Sequence, residues 1–225
     1  MIPLVSIVGQ SGCGKTTLIE RLIPELTGRG HRIATVKHDV HGFEMDREGK
    51  DTWRHKRAGA AAVAISSPTR VAVIADVDRE LTLEEVCDRF MRDVDMVLCE
   101  GFKTNPVPKI ELFRTGVSTE LLCNETDRLL AVVSDRLFSI GVPCFGLDEI
   151  PRIADLIQCE IRGAAAKPEL SLYVGRAKIP LTPFAASSLA GMVRGYVGAL
   201  KECDPSRSIE LLIGADDETL PRATR

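Results

Sequence analysis

Leu4-Val5-Ser6-Ile7-Val8-Gly9-Gln10-Ser11-Gly12-Cys13-Gly14-Lys15-Thr16-Thr17-Leu18 decides the fold. Its first five residues are a short apolar run closed by glycine, the texture of a buried strand. From residue 16 to 27 the apolar side chains recur at Leu18, Leu22 and Leu26, one face of a helix. Pro24 has no N–H for the Glu20 carbonyl and should kink that helix, which Gly28 and Gly30 end. Between strand and helix, Gly9-x-x-x-x-Gly14-Lys15-Thr16 has the spacing of a phosphate-binding P-loop in the required strand–turn–helix context. Glycines at 9, 12 and 14 let the chain turn tightly with successive N–H groups facing inward, where the helix dipole adds positive potential. Lys15 is placed to reach the β- and γ-phosphates of a nucleoside triphosphate, and the Thr16 hydroxyl to ligate Mg²⁺.

Outward from this stretch, strand-like and helix-like segments alternate, which predicts an α/β fold: a P-loop NTPase with a largely parallel twisted sheet flanked by helices. Residues 33–36 read as a second strand, 37–49 as a long polar loop, and 50–59 as a short helix. Residues 61–65 and 71–75 flank Ser66-Ser67-Pro68-Thr69-Arg70 as a hairpin. Thr82 caps a helix over 83–91, with Glu85 at the capping-box position. Strands follow at 96–99, 110–113 and 130–133, and a closing helix at 148–161. Around Gly163 the texture becomes Gly-Ala-Ala-Ala-Lys-Pro, which suggests a nucleotide-binding domain over 1–163 and a small appendage over 164–225. The appendage reads as strands at 170–174 and 178–181, a helix from 183 to about 200, a strand at 208–213 and a disordered tail.

Composition sets the class. With 44% hydrophobic and 27% charged residues the 225-residue chain has material for a core. A net charge of −3 gives no electrostatic reason to expect nucleic acid or an anionic membrane as partner. No apolar run approaches the roughly 18–20 residues that cross a bilayer, and Met1 stands too close to the first strand for a cleavable signal. A cytoplasmic protein is expected. The seven cysteines are scattered without a C-x-x-C pair, which predicts reduced, mostly packed thiols rather than a zinc or iron–sulfur site.

Mg²⁺ on a P-loop needs a carboxylate at the carboxyl end of a neighbouring strand. Asp95 and Glu100 flank the strand Met96-Val97-Leu98-Cys99, about 16 Å apart along it, so only one of them can stand at the phosphates. Strand polarity selects Glu100. The loop after the second strand, with Lys37, His38, Asp39 and Asp46, should open at the same edge, able to hold a phosphorylated substrate, orient a water, or complete the Mg²⁺ shell through Asp46. His38-x-x-His41 lacks a third soft ligand. Gln10 and Ser11 stand where some ATPases carry an extra lysine, and Asn124-Glu125-Thr126-Asp127 has the outer residues of a guanine-reading motif without its lysine. The residues alone leave GTP against ATP open.

In order, the chain carries this P-loop, Val36-Lys37-His38, Asp46, Gly49-Lys50-Asp51-Thr52, Arg54-His55, Ala58-Gly59-Ala60, Leu98-Cys99-Glu100-Gly101-Phe102-Lys103, Lys109-Ile110-Glu111-Leu112-Phe113-Arg114 and Ala131-Val132-Val133-Ser134-Asp135. Over residues 1–161 the combination resembles the molybdopterin-guanine dinucleotide biosynthesis protein B (MobB) family. The resemblance implies a GTP-binding protein, at most a slow Mg²⁺-dependent GTPase. It would assist a separate guanylyltransferase that attaches GMP to molybdopterin, and would form a homodimer through the sheet region. Carried over position by position, Gly12, Cys13, Gly14, Lys15, Thr16 and Thr17 would bind nucleotide, with Lys37 and Asp46 beside them. Thr16 and Glu100 would hold the metal, and Lys15 and Glu100 would serve any catalysis. Molybdopterin is a further candidate ligand. The competing readings are a P-loop kinase of a small metabolite, for which no arginine-bearing lid is visible, and a nickel metallochaperone GTPase, for which four histidines form no tract.

Overall fold

Successive residues of the strand at 96–100 fill opposite sides of the sheet. Met96 and Leu98 join Val5, Ile7, Leu18, Leu22, Leu26, Ile153 and Ile157 in one buried cluster. Val97 and Cys99 join Leu4, Val36, Leu83 and Cys87 in another. A strand covered on both faces has no polar side to show, hence the continuous apolar run in the sequence.

The computed structural model describes residues 2–39, 42–91, 93–124, 126–164, 170, 172–174, 177–206, 209 and 211. In chain order the elements are β1 (Leu4–Val8), α1 (Lys15–Gly28), β2 (Ile33–Lys37), α2 (Asp51–Arg57), β3 (Ala62–Ser66), β4 (Val71–Ala75), α3 (Leu83–Phe90), β5 (Met96–Glu100), β6 (Lys109–Phe113), β7 (Leu129–Ser134), β8 (Cys144–Phe145), α4 (Ile150–Ala164), β9 (Leu172–Val174), β10 (Ala177–Ile179) and α5 (Pro183–Gly198). Six strands form a sheet of order β2-β5-β1-β6-β7-β8, every neighbouring pair parallel. This is the expected α/β fold. Helices α1 and α4 supply the cluster on one face and α3 that on the other. From β1 the chain runs outward to β2, returns as β5, then crosses to β6, β7 and β8. The reversal leaves a crevice at the carboxyl ends of the central strands, where ligands bind in such sheets.

The chain divides into two compact units, Met1–Ala166 and Lys167–Arg225. α4 runs to Ala164, past the sequence boundary at 163. In the second unit β9 pairs antiparallel with β10, and the Thr182 hydroxyl accepts the Ala185 N–H at the start of α5. The strand expected at 208–213 and the tail lie largely outside the described residues. Sequence reading did not find β8, because two residues carry no periodicity. α1 continues through Pro24 to Gly28. No helix among the described residues is long and apolar enough to cross a membrane.

α3 starts as expected: the Thr82 hydroxyl accepts from Glu85 N, and the Glu85 carboxylate accepts from Thr82 N. Arg79 adds two bonds to the same carboxylate, at 2.8 and 2.5 Å. Together, Arg79 first, they hold the Glu85 carboxyl at about 2 rather than its ordinary 4.5. A carboxyl depressed on folding contributes stability above its unfolded value and loses it as pH falls through the folded one. Denaturant titrations of the wild type should therefore show a loss between about pH 4.5 and pH 2 that Glu85→Gln removes. Equal slopes in the two proteins would contradict this.

β6 carries two charges inside the fold, Lys109 and Glu111, each about 1% exposed. Buried charges need close partners. The Lys109 ammonium lies 3.0 Å from Asp127 and donates to the Asn105 carbonyl. The Glu111 carboxylate accepts the N–H groups of Leu122 and Cys123. These bonds strap the connection before β6 and residues 122–127 after it to the sheet.

All seven cysteines are free thiols. Cys13, Cys87 and Cys99 are buried, Cys123 and Cys144 half-buried. Burial raises the Cys87 thiol to about 11 and the Cys99 thiol to about 12. Cys159 and Cys203 are exposed, so five of the seven thiols are at least partly packed.

Candidate functional site

Gly9 turns the chain off β1 at φ +148°, seated against the end of β6. A Cβ there would stand 2.4 Å from the Leu112 carbonyl oxygen and 2.8 Å from Cys13 Sγ. Glycine is thus required by contact as well as by dihedral. The Cys13 side chain points down into the core, and its N–H closes a turn onto the Gln10 carbonyl. Its thiol is raised by burial, an effect partly opposed by Lys15. Gly14 is the N-cap of α1 at φ +102°. Around Gly12 a side chain would meet nothing within 4 Å, so the upper side of the turn is clear of the protein's own atoms. Ser11, Thr16 and Thr17 are exposed there. The Lys15 ammonium folds back over the turn and donates to the carbonyls of Gly9 and Gln10, both at 2.9 Å.

Parallel register levels the neighbouring strand ends. Ile7 pairs with Glu100 and Lys37 with Glu100. The Thr16 hydroxyl consequently meets the Glu100 carboxylate at 3.0 Å, and the Lys37 ammonium lies 4.0 Å from its other oxygen. The Glu100 side chain is 16% exposed. One hydroxyl and one carboxylate at the start of α1 form a hard-oxygen pair of the sort that takes Mg²⁺, with Lys15 beside it for phosphate. Asp95 sits at the opposite end of β5, accepting the Arg32 N–H at 2.7 Å.

Asp46 lies on the loop after β2, where its Oδ1 accepts from Arg47 N and it lines a depression together with residues of α2 and β4. Asn124 and Asp127 are engaged in structural contacts: Asn124 Oδ1 accepts from Thr126, and Asp127 pairs with the buried Lys109 of β6. His41 of the His38-x-x-His41 spacing lies outside the described residues. Among the described residues no three His, Cys, Asp or Glu side chains converge as a metal cluster. Three contacts around the site were not readable from the sequence. Glu80 holds His38 Nε2 at 2.6 Å, the Phe102 ring lies 5.0 Å from the His38 ring, and Thr119 accepts from Gln10 Nε2. Each is a contact between distant segments, without a local pattern to reveal it.

The sequence profile of the molybdopterin guanine dinucleotide synthesis protein B family matches residues 4–135, a span holding the whole Lys15–Thr16–Glu100 arrangement. The chain belongs to this family. The molybdopterin-guanine dinucleotide biosynthesis adapter protein of Haemophilus influenzae is 40% identical over 158 residues, 70% of this chain and 88% of that one. Its Escherichia coli counterpart is 35% identical over 163 residues, 70% of this chain and 92% of that one. Among solved structures, MobB of Bacillus subtilis superposes with a TM-score of 0.58 at 29% identity, covering 71% of this chain and 98% of that one. The MobB family match ends at β7, so the second compact unit lies beyond it.

Proposed function

We propose that this chain is a GTP-binding adapter in molybdenum cofactor biosynthesis. It assists a separate guanylyltransferase in attaching GMP to molybdopterin to form the guanine dinucleotide, and acts in the cytoplasm. The observation that carries the nucleotide-binding half is the Thr16–Glu100 bond at 3.0 Å beside Lys15; the pathway is carried by family membership. Nucleotide is held by the N–H groups of residues 12–17, with the dipole of α1 behind them. Lys15 exchanges its carbonyl partners for β- and γ-phosphate oxygens. Mg²⁺, when bound, neutralises those oxygens, and Thr16 and Glu100 are the residues that hold it; Lys37 lies alongside. Hydrolysis is at most slow, as the family resemblance implies.

The proposal includes a homodimer. The β3–β4 hairpin is a separate two-stranded ribbon that exposes Ile65, Val71 and Val73, each more than half accessible. Isolated ribbons are marginal in water, and a second copy would cover these side chains.

Calorimetry with GTP, ATP and Mg²⁺, on protein whose mass is measured by light scattering, tests the whole reading. Expected are GTP binding at least tenfold tighter than ATP, enhancement by Mg²⁺, and twice the chain mass. Equal affinity for ATP would refute the guanine assignment. Turnover of about 1–100 s⁻¹ onto a metabolite would replace an adapter by a kinase.

A further inference from the structure

β6 and β7 run side by side with Leu112 opposite Val133 and Phe113 opposite Ser134. Leu112 and Val133 both belong to the cluster that α1 covers. Side chains two residues further along a strand return to the same face. Arg114 and Asp135 are therefore the next pair on the α1 side, just past the carboxyl edge of the sheet. The P-loop occupies that same edge, with Leu112 beneath it. The Leu112 carbonyl fills the space beside Gly9, and its side chain would be 3.8 Å from a Cβ at Gly14. Arg114 stands about 7 Å beyond that floor, within the reach of an arginine side chain.

The backbone after Arg114 is fixed. Its carbonyl accepts the N–H groups of Val117 and Ser118 at 3.1 and 2.8 Å, and its own N–H donates to Ser118 Oγ at 3.3 Å. Thr115 donates its N–H and its hydroxyl to the Asp135 carboxylate. Gln10 of the P-loop donates to Thr119 Oγ1 at 3.1 Å. The turn 114–119 is thus fastened to β7 at one end and to the phosphate loop at the other. The Arg114 side chain is not fastened. It is about half exposed, and its Nε lies 3.6 Å from Asp135 Oδ2, too far for a hydrogen bond. None of its guanidinium N–H groups is hydrogen-bonded to a described residue. The Thr115 N–H, first among its partners, holds the Asp135 carboxyl below the usual carboxylate range. The acid that faces Arg114 is charged and already bonded elsewhere.

We propose that Arg114 is a phosphate-binding residue of the nucleotide site: its guanidinium leaves Asp135 and takes phosphate oxygens of the anion held on the P-loop. The proposal rests on the nucleotide-binding reading above. β5 and β6 flank β1 on opposite sides, so the anion is met from both neighbours, by Glu100 through Mg²⁺ and by Arg114 directly. A guanidinium suits the place because its planar fork bonds two oxygens at once.

Calorimetry in Mg²⁺ on the full-length chain tests this with two ligands, GTP and inorganic triphosphate, the second without base or ribose. Arg114→Ala is expected to weaken both about tenfold, the effect of one lost charge-assisted contact. Arg114→Lys keeps the charge without the fork and should recover part of that loss. Arg128→Ala removes the same charge at the opposite end of β7, where Arg128 lies 3.6 Å from Glu160. It should change neither affinity, which separates contact from net charge. The ligand-free melting temperatures of the Arg114 variants should match the wild type. Unchanged affinity in Arg114→Ala, a loss confined to GTP, or an equal loss in Arg128→Ala overturns the proposal. A melting temperature lowered along with affinity in both Arg114 variants would assign the residue to the fold and overturn it as well. Wild-type binding of both ligands that is lost in Lys15→Ala yet unchanged in Arg114→Ala removes Arg114 alone. A wild type that binds neither ligand removes the nucleotide reading and this proposal with it.

Discussion

Lys15→Ala is expected to weaken GTP binding by on the order of 100-fold, as measured by calorimetry in the presence of Mg²⁺. The magnitude follows from removing a hydrogen-bonding charge from a multiply charged anion, worth roughly 1.5–3 kcal/mol per bond to a charged group, with about 1.4 kcal/mol to each factor of ten. The loss has a second component. The ammonium bridges the Gly9 and Gln10 carbonyls, so alanine also removes the tie that keeps the turn wound. Lys15→Arg separates the two: a guanidinium keeps the charge but not the compact geometry of an ammonium, and should recover only part of the affinity. Affinity unchanged in Lys15→Ala would mean that phosphate is held somewhere other than this turn.

The second large effect is expected at Glu100. In Glu100→Gln the Thr16 hydroxyl keeps an oxygen to meet, because an amide carbonyl replaces the carboxylate oxygen now 3.0 Å away. What is lost is the negative charge. With Mg²⁺ present this removes a cation ligand, and GTP affinity should drop about 10- to 100-fold, the cost of one charge-assisted contact. Without Mg²⁺ the sign changes: the wild-type carboxylate faces phosphate with no cation between them, and its removal should leave affinity equal or improved. Equal losses with and without the ion would place the metal ligand elsewhere. Asp95→Asn is the control, since Asp95 spends its carboxylate on Arg32 N at the far end of the strand. A large effect on nucleotide there would overturn the polarity argument itself.

That argument shows what the sequence could reveal. β5 was readable because its residues are apolar without interruption between two acids, and a parallel sheet sends only one strand end to the phosphates; the Glu100–Thr16 contact followed. The strap chemistry on β6 was not readable. Lys109-Ile110-Glu111-Leu112 alternates like a strand with one wet face, yet both faces are buried, because the connection before β6 and residues 122–127 after it fold over the charged side. Only tertiary placement reveals that cover. The place of Asp46 was not readable either, because a loop of more than ten residues does not fix where its middle lies. β8 fell below the length at which periodicity has meaning.

The glycines that bound the turn look interchangeable in the sequence and are not. At position 14 the obstacle to a side chain is handedness: a Cβ would be an ordinary 3.8 Å from Leu112, and the left-handed dihedral costs roughly 1–2 kcal/mol. At position 9 the obstacle is volume, because the Leu112 carbonyl occupies the place a methyl would need. Re-engineering of the phosphate turn therefore has unequal freedom along its six residues. Variation at 14 can be titrated against compensating stability elsewhere, whereas any change at 9 has to move the end of a central strand.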